Sequence, residues 1–457
     1  MLNFNSKSIN ITPIFCVVSS FVLLLILRDF LKFSIPLELF VLTLALGVFF
    51  FKKSDYAILG VVTIPLGHGV QVPSLLLVCL LAIFFKYIVP NKIRVTKITL
   101  CILGLCLIEL CNVIIHPYSD FIEYIRYAVS LMFLAFVLDN TDESDKELGS
   151  RIFSYYITVY MFVMFDIVYQ LIERYGSIVY IISNGIRFGN LAEKGEHLVS
   201  LYDNENNIAL FSLIAVMACI AELWKSGNNE RKPFLYILLL ISSFFGFMTL
   251  SKAYLFSYVF LGALILIKIL FQTNTSIVRK FGIFCSTILL VVFAYVEIFA
   301  DVINNIFNRI DTTEISTGRI DIFNMYNDYI LNNIELLLFG IGIQNPAEKT
   351  GIWNSMHNGI QQVYVSFGIV GLILFVILIY NIVKKANIHR KCKISLINII
   401  VFLALFVYTQ SIQFMSSSSI FLFLIIVYYY LAYSYEETKM YKNKFNLLKC
   451  KKQIDEY

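Results

Sequence analysis

Three basic residues stand where apolar runs meet polar segments: Arg187, Lys252 and Arg319. Each can hold an anion, and arginine engages phosphate oxygens through two parallel N–H bonds. Arg319 follows Ser316-Thr317-Gly318 and opens a pattern with Ile320, Phe323, Ile330 and Ile334 apolar, which predicts an amphipathic helix near 319–334 at a membrane surface. A cation in a helix's first turn opposes the dipole, so Arg319 asks for a reason beyond helix stability. Lys252 follows Ser251 on a connector too short to fold over it, and either snorkels toward headgroups or holds a phosphate. Further along, Ser355-Met356-His357-Asn358 leads into Gly359-Ile360-Gln361-Gln362. With Ser355 as N-cap, His357, Gln361 and Tyr364 share one helix face, which sets an imidazole suited to proton transfer beside an amide that orients it. Asp203 and Asn204, in Tyr202-Asp203-Asn204-Glu205-Asn206-Asn207, suit the N-cap of the apolar run that follows; a helix N-terminus there is equally an anion site.

The elements that must position these residues are membrane helices. Of 457 residues 59% are hydrophobic and 15% charged, with mean hydropathy +0.77, where a soluble domain carries roughly 25% charged residues. That excludes a soluble enzyme, a secreted disulfide scaffold and a disordered chain. Apolar runs place helices near 11–27, 36–51, 56–69, 70–89, 98–115, 121–138, 151–171, 204–223, 233–250, 254–271, 281–299, 361–383, 394–410 and 419–434. The expectation is an all-α polytopic protein with about fourteen (12–14) spans, one integral membrane domain over 1–457. The third run holds Pro65 and Gly67 and is either a half-helix or fused with the fourth. The first run is too long for a signal peptide and reads as a retained span.

Loop charges give the orientation. Placing the termini and the loops near 52–55, 90–97, 139–151, 224–232, 272–280 and 384–393 together gathers 24 of the 36 Lys and Arg, so that side is cytoplasmic, with the basic tail 435–457. Two long segments, 172–203 and 300–360, then face outward with short amphipathic helices. The cytoplasmic loops leave no room for a nucleotide-binding domain, and Gly340-Ile341-Gly342 lacks a third glycine and reads as a turn. The net charge of +5 suggests no nucleic-acid partner.

Ionisable residues inside spans skew outward: Glu38, Glu109, Glu123, Arg126, Asp166 and Glu297 all fall toward the outer ends of their helices. Each is costly there without a partner, and together they predict a polar cavity opening outward under the two long loops. His68, His116, His197 and His357 lie on the same side. None of the nine cysteines lies in an outer loop, and no two histidines lie within one helical turn, so neither disulfide nor metal site is expected.

In this order the residues resemble the O-antigen and capsular repeat-unit polymerases, which form one superfamily with the O-antigen ligases. The series runs from Arg187-x-Gly189 and Asp203–Asn207 through Ser251-Lys252 and Thr317-Gly318-Arg319 to Gly340-x-Gly342, His357-Asn358 and Gly368-x-x-Gly371. Arg126, in Tyr124-Ile125-Arg126-Tyr127, extends it into the amino-terminal half. The chain departs from the family pattern with Asp203-Asn204-Glu205-Asn206, where a Pro-Asn is frequent, and with Lys252, where arginine is common.

The resemblance implies a membrane glycosyltransferase of the GT-C type in the bacterial plasma membrane, active on its outer face. Its donor and acceptor would be undecaprenyl-diphosphate-linked oligosaccharides, with no cofactor or metal and with a possible chain-length regulator as partner. Arg187, Lys252 and Arg319 would face the departing diphosphate, with Arg126, Asn204, Asn358 and Gln361 as further binding residues. His357, or secondarily Asp203, would take the proton of the attacking hydroxyl. Within this family the alternative is a ligase handing finished glycan to a lipid A core. From another class the alternative is a flippase for lipid-linked oligosaccharides, for which internal similarity between halves would speak, and none is seen.

Overall fold

A computed structural model of the chain describes residues 12–66, 72–116, 118–140, 148–189, 205–225, 231–270, 304, 318–386, 396–412, 414–415 and 419–431. Among them no strand occurs, and helices follow one another closely. In chain order they are α1 (Pro13–Leu25), α2 (Glu38–Val48), α3 (Lys53–Thr63), α4 (Val72–Ile83), α5 (Lys97–Ile115), α6 (Phe121–Asn140), α7 (Leu148–Tyr175), α8 (Ile178–Ser183) and α9 (Glu205–Lys225). There follow α10 (Lys232–Met248), α11 (Lys252–Leu270), α12 (Arg319–Asn332), α13 (Leu336–Phe339), α14 (Pro346–Thr350), α15 (Gly359–Ala386), α16 (Leu396–Thr409) and α17 (Ser419–Leu431). The expected span 281–299, residues 190–204 of the first outer loop and the tail 435–457 lie outside the described residues.

Local chemistry starts these helices. Thr12 caps α1 by accepting from Phe15 N, with Pro13 at the first turn, and Thr96 caps α5 by accepting from Ile98 N at 3.1 Å. Six described helices are long and apolar enough to cross a membrane, and five shorter apolar helices accompany them. Helix α3, within the short third run, has 11 residues, nearly all buried; residues 67–71, between it and α4, lie outside the described residues. Large side chains such as Leu46, Phe50, Leu107, Leu240 and Val376 remain exposed around the bundle, as a lipid-facing surface requires.

Packing brings distant parts of the chain together. Helix α9 lies on α10 and α11, α11 on α16, and α5 on both α6 and α15. At one end, Lys53 Nζ donates to Lys92 O, Asp139 holds Thr96, and Lys385 donates to Leu138 O. Toward the other end, Lys32 pairs with Glu173 at 2.7 Å, and Asn345 Nδ2 donates to Tyr118 O at 3.0 Å.

Residues 318–360, expected to face outward, form a folded unit. Helix α12, expected near 319–334, buries Ile322, Tyr326 and Ile330 against Ile341, Ile352, Met356 and Val365 in a small core of its own. Tyr326 OH donates to Asn354 O at 3.0 Å, and Gln361 Nε2 donates to Phe323 O at 2.6 Å, tying α12 to the start of α15.

Helix α15 breaks at Gly368 (φ 65°, ψ −166°). The carbonyls of Val365 and Ser366, just before the break, accept from Ile341 N at 3.0 Å and Gly342 N at 2.9 Å. A Cβ on Gly340 would come within 2.4 Å of Ser366 backbone, and one on Gly368 within 2.3 Å of Leu338, so both contacts require glycine. The Gly-x-Gly turn and the broken span are therefore two halves of one joint.

Candidate active site

Three chain segments meet at the start of α9. The Arg187-Phe188-Gly189 turn docks there because Gly189 (φ 95°) has no Cβ to strike Glu205 Cα, and Phe188 N donates to Met248 O at 3.0 Å. That contact aims Arg187 at two neighbours. Its Nε donates to Thr249 O at 2.8 Å, and its Nη1 pairs with the Glu205 carboxylate. Both side chains are mostly buried, at 17% and 19% exposure, so the guanidinium is held in one orientation. Glu205, the first residue of α9, is an anion at the positive end of the helix dipole and is favoured there.

The α10–α11 turn is fixed to the same place. Ser251 Oγ donates to Asn206 Oδ1 at 3.0 Å and accepts from Tyr254 N at 3.4 Å, so Ser251 both caps α11 and anchors it to α9. Lys252 is thereby the first residue of α11, as Arg319 is of α12. A cation at a helix N-terminus costs about 0.3–1 kcal/mol, and the chain accepts that cost at both helices.

Tyr408, at the end of α16, closes the cluster. Its hydroxyl donates to Asn206 O, and it lies within electrostatic reach of both Arg319 and Arg187. Arg319 is in turn within reach of His357, which is more than half buried. Burial first, and then the Arg319 charge, push the His357 imidazole below its ordinary value; it is neutral at pH 7 and able to accept a proton.

Several expected residues are placed differently from the sequence reading. The N-cap of α15 is Asn358, whose Oδ1 accepts from Gln361 N at 3.0 Å, not Ser355. His357 therefore precedes the helix and does not share a helical face with Gln361 and Tyr364. Tyr326 takes the Asn354 carbonyl, and 355–358 stay outside the helix, which starts at Gly359. Gln361 is buried and also donates to Asn327 Oδ1 at 3.1 Å, and Asn358 serves as a cap.

Arg126 sits on α6, half exposed and paired with Glu123 one turn before it. Of the other ionisable groups expected to face outward, Glu109 and Asp166 are fully buried and Glu38 is exposed. Asp203, Asn204, Thr317, His68, His197 and Glu297 lie outside the described residues.

Sequence reasoning passed over Glu205, Asn206, Thr249 and Tyr408. The first two stood inside the quoted Asp/Asn-rich stretch and were legible as polar residues on a helix start. Thr249 acts through its carbonyl, and Tyr408 is one of 28 tyrosines in the chain, so neither carried a signal. Among the described residues no group of three or more His, Cys, Asp or Glu is arranged to hold a metal.

Beside the cluster, α15, α16 and α17 enclose an apolar cleft of about 420 Å³. It begins at Gly359 and Thr409, the neighbours of Asn358 and Tyr408, and runs along Phe375, Phe402 and Phe421. Gly359 allows this approach, since a Cβ there would come within 2.3 Å of Phe414.

The described residues thus form an all-helical bundle in which Arg187, Glu205, Asn206, Ser251 and Tyr408 come together at the start of α9, with Arg319 within electrostatic reach of Tyr408 and of His357. The O-antigen ligase family model matches residues 237–376, a stretch containing Lys252, Arg319, the Gly-x-Gly joint and His357. The match, over residues 237–376 of 457, supports a likeness to the O-antigen polymerase/ligase superfamily, whose members are membrane glycosyltransferase-like enzymes. Among curated proteins no sequence matches it.

Proposed function

We propose that the chain polymerises oligosaccharide repeat units carried on undecaprenyl diphosphate, on the outer face of a bacterial plasma membrane, into O-antigen or capsular polysaccharide. One observation carries the reading: Arg187, held by Glu205 and Thr249 O, and Tyr408, bonded to Asn206 O, meet at the start of α9, with Arg319 within electrostatic reach of Tyr408 and His357.

The reaction needs what this arrangement supplies. A hydroxyl of the acceptor sugar attacks the anomeric carbon of the donor, and the bond from that carbon to the diphosphate oxygen breaks. The hydroxyl proton passes to the free nitrogen of His357. The departing diphosphate gains negative charge, which Arg319, Arg187 and Lys252 stabilise from fixed positions, preorganised before the reaction begins. Arg187 is fixed by Glu205 and Thr249 O for that purpose. The isoprenoid chain of the carrier lies in the apolar cleft that starts at Gly359 and Thr409, so that head and tail are bound side by side. The activated diphosphate supplies the driving force.

A second reading is the ligase that the matched family is named for, which would hand the finished glycan to a lipid A core. The two are separated by the length distribution of surface polysaccharide in a deletion strain complemented with wild type, Arg319→Ala or His357→Ala, with membrane levels checked. A polymerase leaves single repeat units attached in the deletion strain, and neither variant restores the ladder. Full-length polymer accumulating on its lipid carrier assigns the chain as a ligase. Repeat units trapped on the cytoplasmic leaflet would instead mean a flippase.

A further inference from the structure

Glu109 is fully buried near the outer end of α5, far along the chain from the cluster above. Its Oε2 accepts from Ile343 N at 3.0 Å, the residue just past the Gly-x-Gly joint. Lys349 of α14 donates from Nζ to Ile341 O at 2.9 Å. Gly342 (φ 82°) runs between the two groups: a Cβ there would lie 3.3 Å from Glu109 Oε2 and 3.2 Å from Lys349 Nζ. The carboxyl and the ammonium thus hold the same three residues, Ile341 to Ile343, and each feels the other's charge. Burial pushes the Lys349 ammonium below its ordinary value, and the Glu109 carboxyl acts against that shift. His116 is also within reach of Lys349, and Tyr124 and Tyr127 of α6 are within reach of Glu109.

One turn on from Glu109, Asn112 Nδ2 donates to Phe339 O at 3.2 Å and to Ser366 O at 3.3 Å, which joins α5 to both halves of the joint. The gripped residues are the ones whose N–H groups hold Val365 and Ser366 ahead of the Gly368 break. What lies ahead of that break is the outer half of α15, which starts at Asn358 and directly follows His357.

We infer that Glu109 and Lys349 are positioning residues: with Gly342 between them they form a latch that fixes the outer half of α15, and through it His357 relative to Arg319. The inference rests on the polymerase or ligase reading for its catalytic consequence, but not for its structural one. The latch acts at a distance, so its loss displaces the imidazole without removing a group that touches substrate. A displacement of about 1 Å in a catalytic group costs on the order of 10²-fold in rate.

The test uses the full chain, purified and reconstituted, with a lipid-linked repeat unit as substrate. The chain has two tryptophans, and Trp353 lies beside Gly318, next to Arg319, so in a Trp224→Phe background the emission of Trp353 reports how 351–358 sits on α12. Glu109→Ala removes both the charge and the acceptor for Ile343 N; Glu109→Gln keeps an acceptor; Lys349→Arg keeps the charge. We expect kcat to fall about 10²-fold in Glu109→Ala, less in Glu109→Gln and least in Lys349→Arg, with KM within twofold and a shift of Trp353 emission in the same order.

Glu109→Gln and Lys349→Arg keep the comparison readable if Glu109→Ala does not fold. Unchanged kcat and unchanged emission in Glu109→Gln and Glu109→Ala would overturn the latch, as would a change confined to KM. If the wild type transfers no glycan while the emission shift follows the predicted order, the latch stands and the enzymatic reading falls.

Discussion

The two ends of the bundle use polar side chains in opposite ways. At the end where α5 begins and α6 finishes, Asp139 accepts from Thr96 N at 3.0 Å, from Thr96 Oγ1 at 2.6 Å and from Thr99 Oγ1. Its neighbour Asn140 accepts from Arg94 N and donates to Arg94 O. That network closes on itself, and every bond in it serves to join the 94–99 segment to α6. At the outer end, Lys252 and Arg319 begin helices whose dipoles disfavour them, and Arg319 works against the charged form of His357. Stability alone would not select such an arrangement. The contrast sets a network that joins two segments of the fold against one that holds cations at helix starts, where the proposed reaction would use them.

The sharpest way to break the comparison is to remove the groups assigned to chemistry. His357→Ala is expected to lower the rate of glycan transfer by about 10²–10⁴-fold, and Arg319→Ala by about 10²–10³-fold, while the melting temperature moves little. A comparable loss of melting temperature in either variant would mean that the outer cluster is structural after all.

Asp139→Ala should show the reverse pattern. The buried carboxylate's three bonds are lost, so stability falls by roughly 2–3 kcal/mol, read as an earlier thermal transition, with transfer per folded molecule unchanged. Arg187→Lys tests whether geometry or charge matters at the outer end. The charge is kept, but the fixed fork between Glu205 and Thr249 O is lost, and we expect about a tenfold lower rate, since one tenfold step corresponds to about 1.4 kcal/mol.

The smallest effect concerns pH. His357 must be neutral to accept a proton, and burial together with the Arg319 charge lowers its pKa, so the acid limb of the rate profile lies below the ordinary imidazole value. Activity is retained above that limb and lost as pH falls through it. In Arg319→Gln the residual activity should show the limb moved toward higher pH, since one of the two causes of the lowering is gone. A limb that stays in place would separate His357 from Arg319.

Much of the outer unit was legible in the sequence because its signals are local. The apolar spacing after Gly318 marks a helix found over Arg319–Asn332, and within the short third run lies the buried helix α3. What depends on partners far along the chain was not legible. Ser355 is a good N-cap by type, yet Asn358 takes that place, while Tyr326, from α12, binds the Asn354 carbonyl. Glu109 read as one of several groups lining an outward cavity; it is buried against a turn more than 230 residues away in the chain, which no periodicity in α5 could announce. Gly340 and Gly342 read as a turn, and Gly368 as part of a span, but that each exists to admit the other follows only from their contact.

The central claim is that His357, held neutral beside Arg319, takes the proton as one lipid-linked repeat unit is joined to another. The most direct measurement is the length distribution of glycan made by the purified, reconstituted chain when lipid-linked repeat units are the only substrate, compared with His357→Ala of equal melting temperature. The account predicts a ladder of products from the wild type and single repeat units from the variant. A ladder of undiminished rate from His357→Ala would contradict it, as would a wild type that leaves repeat units unjoined and transfers glycan only when a lipid A core is supplied.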